Sequence, residues 1–147
     1  MVFESIRKAK PKKLYLIADG PKDKKEEVKC QKTRNLIENS IDWVCEVHKI
    51  YSDTNLGCAQ RIKTGLDSVF QKEQKAIILE DDLIVSKYFL NYMNNALGYY
   101  ENNLDIWAIS GFSPPLPCLK NYSAEVYFSY RTCSWGWATW KSKWINL

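Results

Sequence analysis

The strongest constraint on the fold is a short apolar run that ends in three consecutive acids. Residues 76–79 have the length and the branched side chains of a buried strand, and Glu80, Asp81 and Asp82 follow them directly. Unpaired carboxylates cannot continue a buried strand, because burying a charge without a partner is too costly. We therefore expect the acids at the carboxyl end of the strand, which is the edge where open α/β sheets bind ligands.

Acids at a strand end serve several chemistries. Adjacent carboxylates repel one another, and a hard divalent cation relieves that repulsion. Response-regulator domains and acid-nucleophile phosphatases carry such acids after the first strand, whereas nucleotide-sugar transferases carry them after a middle strand. Two predicted strand–helix units precede the acids here, which favours the transferases, and a solvated turn with helix-capping acids stays open as the structural alternative.

The order of predicted segments indicates the fold class. Strands alternate with helices, which predicts βαβ units and an α/β fold with a Rossmann-like, mostly parallel sheet and helices on both faces. The chain has 147 residues, the size of one domain, and 46% of them are hydrophobic, enough for a core. The predicted strands are 12–18, 43–50, 76–79, 106–110 and 126–130, and the predicted helices are 23–40, 58–71 and a third capped by Ser86.

Composition excludes several classes of function. The net charge of +4 is too small to indicate nucleic-acid binding. The cysteine count of five is odd, no C-x-x-C motif occurs and there is one histidine, so we expect reduced thiols and no zinc site. No signal peptide and no apolar run of about 20 residues is visible. These features predict a cytoplasmic location, with peripheral membrane attachment left open.

Four further residues are candidates for ligand contacts. Asp19 ends the first predicted strand and is expected to face the acids across a crevice, and Arg61 near the start of helix 58–71 could reach a nucleotide or diphosphate. Trp135 and Trp137 flank Gly136, and aromatic rings stack on the C–H faces of sugars. Each has a structural alternative, which is turn formation for the aspartate, solvated charge for the arginine and packing for the tryptophans.

Together these segments resemble nucleotide-sugar glycosyltransferases of the GT-A fold, above all the N-acetylglucosaminyltransferase I group and related bacterial transferases. The likeness is carried by Ile-Leu-Glu-Asp-Asp-Leu-Ile-Val at 78–85, with Tyr-Phe-Leu-Asn-Tyr opening a helix at 88–92. It extends from about residue 12 to residue 144, and four other segments match in the same order, namely 16–21, 55–57, 110–112 and 131–140.

The resemblance implies a metal-dependent, inverting transfer of a sugar from a nucleotide-sugar donor to a glycan or lipid-linked acceptor. By the same resemblance, Asp82 would bind Mn²⁺ or Mg²⁺, Asp81 would bond the ribose or the sugar, and Glu80 would support the sugar site. Asp19 would contact the nucleoside and Arg61 the nucleotide. Trp135 and Trp137 would line the region of the donor sugar and the acceptor.

One departure from the family concerns the general base. Inverting members carry an acidic base downstream of the Trp-rich segment, but this sequence has no acid after Glu125. We therefore expect residues 1–147 to form a single GT-A-type domain that is incomplete at its C-terminus and lacks the base.

Two other functions stay open. The first is a non-catalytic module that binds nucleotide or carbohydrate through the same fold. The second, a response-regulator type of phosphotransfer domain, is weaker because strand 106–110 ends without the required aspartate. The Trp-rich tail also predicts an exposed apolar sheet and hence homo-oligomers.

Overall fold

The computed structural model describes residues 2–146 and has a mixed α/β fold, so the predicted class is confirmed at that level. The chain divides into two compact units. The N-terminal unit is Phe3–Glu73, and the C-terminal unit runs from Gln74 onwards and also includes Val2.

The N-terminal unit is built on two parallel strands. Lys13 lies opposite Glu46 and Ala18 lies opposite Tyr51, so the two strands end together at their carboxyl termini. Parallel neighbours require a crossover connection, and a helix of 16 residues supplies it here. The elements in order are α1 (Val2–Ala9), β1 (Lys13–Ala18), α2 (Lys24–Asn39), β2 (Glu46–Tyr51) and α3 (Cys58–Lys72).

Helix α3 supplies most of the core of this unit. Leu66, Val69 and Phe70 are buried at the spacing of one helical face, and the helix covers the range predicted at 58–71. Gly65 lies so close to β1 that an added Cβ atom would be 2.6 Å from the side chain of Ile17. The helix therefore packs directly on the strand, and a larger residue at position 65 would push them apart.

Helix α2 is exposed, which suits the charged residues of its first half. It contains no buried residue, and Asp23 caps it by accepting hydrogen bonds from the backbone N–H groups of Lys25 and Glu26. Among residues 2–146, every helix is too short or too polar to cross a membrane.

The C-terminal unit contains a three-stranded sheet in the order β3-β5-β4. The last strand lies in the middle and runs antiparallel to both neighbours, so that Ile78 and Ser110 both lie opposite Trp137. Its elements in order are β3 (Lys75–Ile78), α4 (Phe89–Tyr99), β4 (Ile109–Ser110), a 3₁₀ turn (Pro117–Leu119), β5 (Trp137–Trp140) and α5 (Lys141–Trp144).

This pairing corrects the prediction of a mostly parallel sheet, which holds for β1 and β2 only. The difference arises from the Trp-rich tail, which was interpreted as a binding segment although its alternation also suits a strand. Ala138, Thr139 and Trp140 are all buried, so both faces of β5 are covered. Burial on both faces is typical of a strand in the middle of a sheet and accounts for the central position of β5.

Three further predictions, of a strand, of a strand length and of a helix cap, are wrong. Residues 126–130 form no strand, and the side chains of Phe128 and Tyr130 are exposed without a partner strand to cover them. Strand β4 keeps only two of the five residues predicted at 106–110. Helix α4 begins at Phe89 after a Tyr88 cap that lacks a side-chain hydrogen bond, so Ser86 does not cap it.

The core of the C-terminal unit lies between α4 and the sheet. Met93 and Ala138 are fully buried, and the indole Nε1–H of Trp140 donates to the backbone oxygen of Leu97 at 3.2 Å. Burying a side chain the size of methionine contributes about 1.5–3 kcal/mol. The hydrogen bond from the indole fixes the orientation of Trp140 against α4, because a buried N–H requires an acceptor.

Gly111 and Gly98 provide a matched test of this packing, because both lie in the C-terminal unit and have different surroundings. A Cβ atom on Gly111 would lie 2.2 Å from the ring of Phe89 and 2.9 Å from the backbone oxygen of Gly136. We expect Gly111→Ala to lower the free energy of unfolding by about 1–3 kcal/mol. Gly98 in α4 has open space around it, so Gly98→Ala should be neutral or raise stability by up to about 1 kcal/mol.

Urea unfolding followed by circular dichroism measures both values. Equal effects of the two substitutions would contradict the close approach at Gly111.

Candidate functional site

The three acids follow β3 as the sequence predicted. Glu80 is half-buried, whereas Asp81 and Asp82 form an exposed turn beyond the end of the strand. Within residues 2–146, no ion pair or hydrogen bond engages the Asp82 carboxylate. Its oxygens are therefore accessible to a ligand from solvent.

A cavity of about 420 Å³ opens beside this turn, within the C-terminal unit. Its lining side chains carry one carboxylate (Asp82), one hydroxyl (Ser86) and one indole N–H (Trp135), and the rest of its wall is apolar or glycine. Such a volume is in the range of small-molecule sites, which are mostly apolar with a few polar groups. The lining residues are Asp82, Leu83, Ile84, Val85, Ser86, Phe89, Gly111, Phe112 and Trp135.

An aromatic pair forms one side of the cavity. The ring centroids of Phe112 and Trp135 are 4.7 Å apart, with an angle of 58° between the ring planes. Such tilted pairs are favourable, because the positive edge of one ring meets the negative face of the other. Both side chains are also partly exposed, Phe112 at 39% and Trp135 at 54%, so their outer surfaces are free to contact a ligand.

Backbone contacts hold this aromatic pair together. The N–H of Gly111 donates to the oxygen of Gly136 at 2.8 Å, which ties the residue before Phe112 to the residue after Trp135. Gly136 has φ +77°, a left-handed conformation that favours glycine. The hydroxyl of Ser110 donates to the oxygen of Phe112 at 3.0 Å and fixes the turn that follows β4.

The remaining tryptophans of the tail have other surroundings. Trp137 belongs to β5 and does not line the cavity, and its ring centroid is 6.2 Å from that of Trp144. Trp140 is buried in the core. The Trp-rich segment therefore supplies one wall of the cavity and one strand of the sheet, and the predicted sugar contact of Trp137 stays a prediction.

In the N-terminal unit, Asp19 lies just beyond the end of β1 and holds the loop that leads into α3. Its Oδ1 accepts hydrogen bonds from the backbone N–H groups of Gly20 and Leu56, both at 2.9 Å. Its Oδ2 accepts from the N–H of Gly57 at 2.9 Å and from the amide of Asn55 at 3.2 Å. These bonds occupy most acceptor positions of the carboxylate. Asp19 therefore stabilises the loop before α3.

The same contacts shift the pKa of Asp19. Desolvation by itself would raise the pKa, but hydrogen bonds from Leu56, Gly20 and Gly57 and the charge of Arg61 outweigh it. The net effect holds the pKa below its ordinary value of 3.8. The predicted contact of Asp19 with a nucleoside stays a prediction.

Arg61 lies one turn into α3 and is buried. Its Nη2 is 3.3 Å from the position of a Cβ built on Gly65, so the side chain folds back over its own helix. Among the described residues, no acceptor bonds the buried Nε and Nη2 atoms. Buried donors without a partner are rare, and an anionic ligand is one group that would satisfy them.

Arg34, which the sequence analysis did not single out, joins the ends of β1 and β2. Its Nη2 donates to the backbone oxygens of Asp19 at 2.9 Å and Ser52 at 2.8 Å, and its guanidinium lies over the ring of Tyr51 at 4.6 Å. A second cavity, of about 320 Å³, lies beside it, lined by Ala18, Asp19, Glu26, Lys29, Cys30, Thr33 and Arg34. A single arginine in a charged helix carries no sequence signal for this role.

The predicted site residues thus fall into two groups. In the C-terminal unit, Asp82 and Trp135 line one cavity, and Glu80 and Asp81 precede it in the chain without lining it. In the N-terminal unit, the charge of Arg61 acts on Asp19. The expected crevice between Asp19 and the acids stays a prediction. Phe112 was missed as a lining residue, although an aromatic residue directly after Ser-Gly at a strand end was a usable signal.

The residues described contain no group of three or more histidine, cysteine or acidic side chains placed to hold a metal ion. Mg²⁺ and similar ions keep most of their ligands from water and phosphate and need only one or two carboxylates. The exposed carboxylate of Asp82 fits that requirement. Comparison of the chain with known protein families, with curated proteins and with solved structures found no match.

The Asp19 contacts generate a prediction about stability and pH. Asp19→Asn replaces one acceptor oxygen with a donor that faces backbone N–H groups, so the free energy of unfolding should fall by about 1–3 kcal/mol at neutral pH. Because the native pKa is lowered, the contribution of Asp19 is complete above its unfolded-state pKa and is lost as pH falls through the native pKa. The difference between wild type and variant should therefore shrink on acidification.

Urea unfolding curves at a series of pH values from about 7 to about 2 measure this difference. Asp53→Asn is the matched control, because Asp53 is an exposed acid of the same β2–α3 connection. A difference between Asp19→Asn and wild type that stays constant or grows as pH falls would show that the hydrogen bonds to Asp19 do not act as described.

Proposed function

We propose that the chain is a GT-A-type glycosyltransferase domain that binds a nucleotide-sugar donor with Mn²⁺ or Mg²⁺. One observation carries the proposal, namely that Asp82 at the end of β3 and Trp135 before β5 line the same cavity. Asp82, interpreted as metal-binding, and Trp135, interpreted as sugar-binding, lie 53 positions apart in the sequence. If the resemblance to the transferases were accidental, there would be no reason for the two residues to line one cavity. The same edge of a sheet is where α/β proteins bind ligands.

The acid turn would hold the charged part of the donor. A divalent cation on Asp82 would neutralise the negative charge that develops on the diphosphate leaving group. Asp81, which is exposed beside it, would accept hydrogen bonds from the ribose or the sugar, and the half-buried Glu80 would support the turn. The carboxylate of Asp82 is suited to this task because no protein cation neutralises it within the described chain.

Within the N-terminal unit, the resemblance assigns contacts with the nucleotide to Arg61 and Asp19. The buried donors of Arg61 support a role with an anionic group, since they are unsatisfied among the described residues. Asp19 would contact the nucleoside, and its hydrogen bonds to Asn55, Leu56 and Gly57 would keep the neighbouring loop in place. Trp135 and Trp137 would serve the donor sugar and a glycan or lipid-linked acceptor.

Transfer also requires a base that takes the proton of the acceptor hydroxyl. No described residue is assigned to that task. The cavity beside Asp82 also fits a second candidate, a module of the same fold that binds the nucleotide sugar or a carbohydrate without transferring it. Transfer of sugar to an added acceptor hydroxyl would distinguish the enzyme from the binding module.

The metal assignment predicts the effect of Asp82→Asn. Calorimetric titration with a panel of uridine and guanosine diphosphate sugars should show binding to wild type that depends on Mn²⁺. The variant should lose at least about tenfold in affinity, because a neutral amide binds a divalent cation far more weakly than a carboxylate does.

Asp105→Asn is the matched control, because Asp105 is an exposed acid of the same unit that does not line the cavity. Its affinity should equal that of wild type. Undiminished binding by Asp82→Asn, or binding that is indifferent to Mn²⁺ in wild type, would overturn the metal assignment.

A further inference from the structure

We infer that the cavity beside Asp82 takes a neutral pyranose ring and that Phe112 is a binding residue for that ring together with Trp135. Phe112 lies in segment 110–112 of the resemblance, but it was assigned no role in the site. The identification of the ring as the sugar of a nucleotide donor rests on the proposed function. The shape and polarity of the cavity carry the rest.

The aromatic pair forms a corner. Because the rings of Phe112 and Trp135 meet at 58°, a flat ligand that stacks on one ring meets the other at its side. A pyranose has this form, since axial C–H groups make each face apolar and hydroxyl groups project from its rim. Trp135, the larger and more exposed ring, provides the stacking face, and Phe112 provides the side wall.

Contacts within the protein hold the backbone of the corner in place without a ligand. The bond between Gly111 and Gly136 joins the two aromatic residues, and the bond from Ser110 to the oxygen of Phe112 holds the turn. Phe89 packs under both glycines, so that neither could carry a side chain without displacing its ring. A site arranged in advance loses less entropy when it binds a ligand.

The polarity of the cavity selects a neutral ligand. Its side-chain polar groups are the carboxylate of Asp82, the hydroxyl of Ser86 and the indole N–H of Trp135, and the lining includes no lysine or arginine. A uronic acid would place a second carboxylate near Asp82 without a protein cation to offset the repulsion. The apolar wall formed by Leu83 and Val85 gives no hydrogen bonds to a charged substituent either.

The test uses methyl glycosides without a nucleotide or metal, so that the sugar site is probed separately from the donor site. Saturation-transfer NMR on the wild-type chain with methyl β-D-glucopyranoside should saturate the protons of one ring face more than those of the other. The corresponding methyl glucuronide should bind at least about tenfold more weakly. This measurement needs no variant and is therefore independent of any folding defect.

Variants then assign the site. Phe112→Ala and Trp135→Ala should each weaken glucoside binding at least about tenfold, as removal of a stacking aromatic does. Phe112→Leu keeps an apolar side chain and should retain the fold while binding more weakly than wild type. Phe128→Ala is the matched control, because Phe128 is an exposed phenylalanine of the same unit that does not line the cavity. Circular dichroism of each variant verifies folding.

The outcomes separate this inference from the proposed function. Equal saturation of both ring faces, equal binding of the glucuronide, or unchanged binding by folded Phe112→Leu and Trp135→Ala would overturn the inference. If nucleotide sugars still bound with Mn²⁺ in that case, the proposed function would stand. Selective glucoside binding by a chain that binds no nucleotide sugar would support the neutral-ring site and overturn the donor assignment.

Discussion

Trp137 lies opposite Ile78 on one side and opposite Ser110 on the other, so one position of β5 aligns the ends of two other strands. The turns that follow those strands carry Asp82 and Phe112, and Trp135 lies two residues before the start of β5. The antiparallel pairing of β5 thus brings three chain segments to one edge of the sheet. The cavity beside the acids depends on this register, because a shift by one residue would turn alternate side chains to the other face.

The N-terminal unit depends on a different interaction, the carboxylate of Asp19. This side chain lies after β1 and gathers backbone N–H groups from the connection between β2 and α3, as a capping residue does within a single helix. Arg34 joins the ends of β1 and β2 from the other direction through their backbone oxygens. The charged side chains of Asp19 and Arg34 therefore order the loops at the strand ends. Without them, the same backbone N–H and C=O groups would form hydrogen bonds with water.

Much of the fold could be predicted from periodicity. The apolar stripe of α3, the exposed α2 with its Asp23 cap, and the end of β3 at the acids follow from local rules of burial and capping. Residues 126–130 show the limit of those rules, since an alternation of apolar side chains forms a strand only if a partner strand is available. The Trp-rich tail shows the same limit in reverse, because its β-strand became apparent only from its neighbours β3 and β4.

The sequence by itself determined that three acids end a strand, that Asp19 follows another, and that tryptophans crowd the tail, because unpaired charge cannot be buried and turn residues interrupt strands. Only the tertiary structure decided which of these residues share a cavity. In it, Trp135 lines the cavity and Trp137 does not, Phe112 is a further lining residue, and the carboxylate of Asp19 binds the connection between β2 and α3. The physical reason is that strand order and register depend on contacts between segments far apart in the chain, which no local pattern specifies.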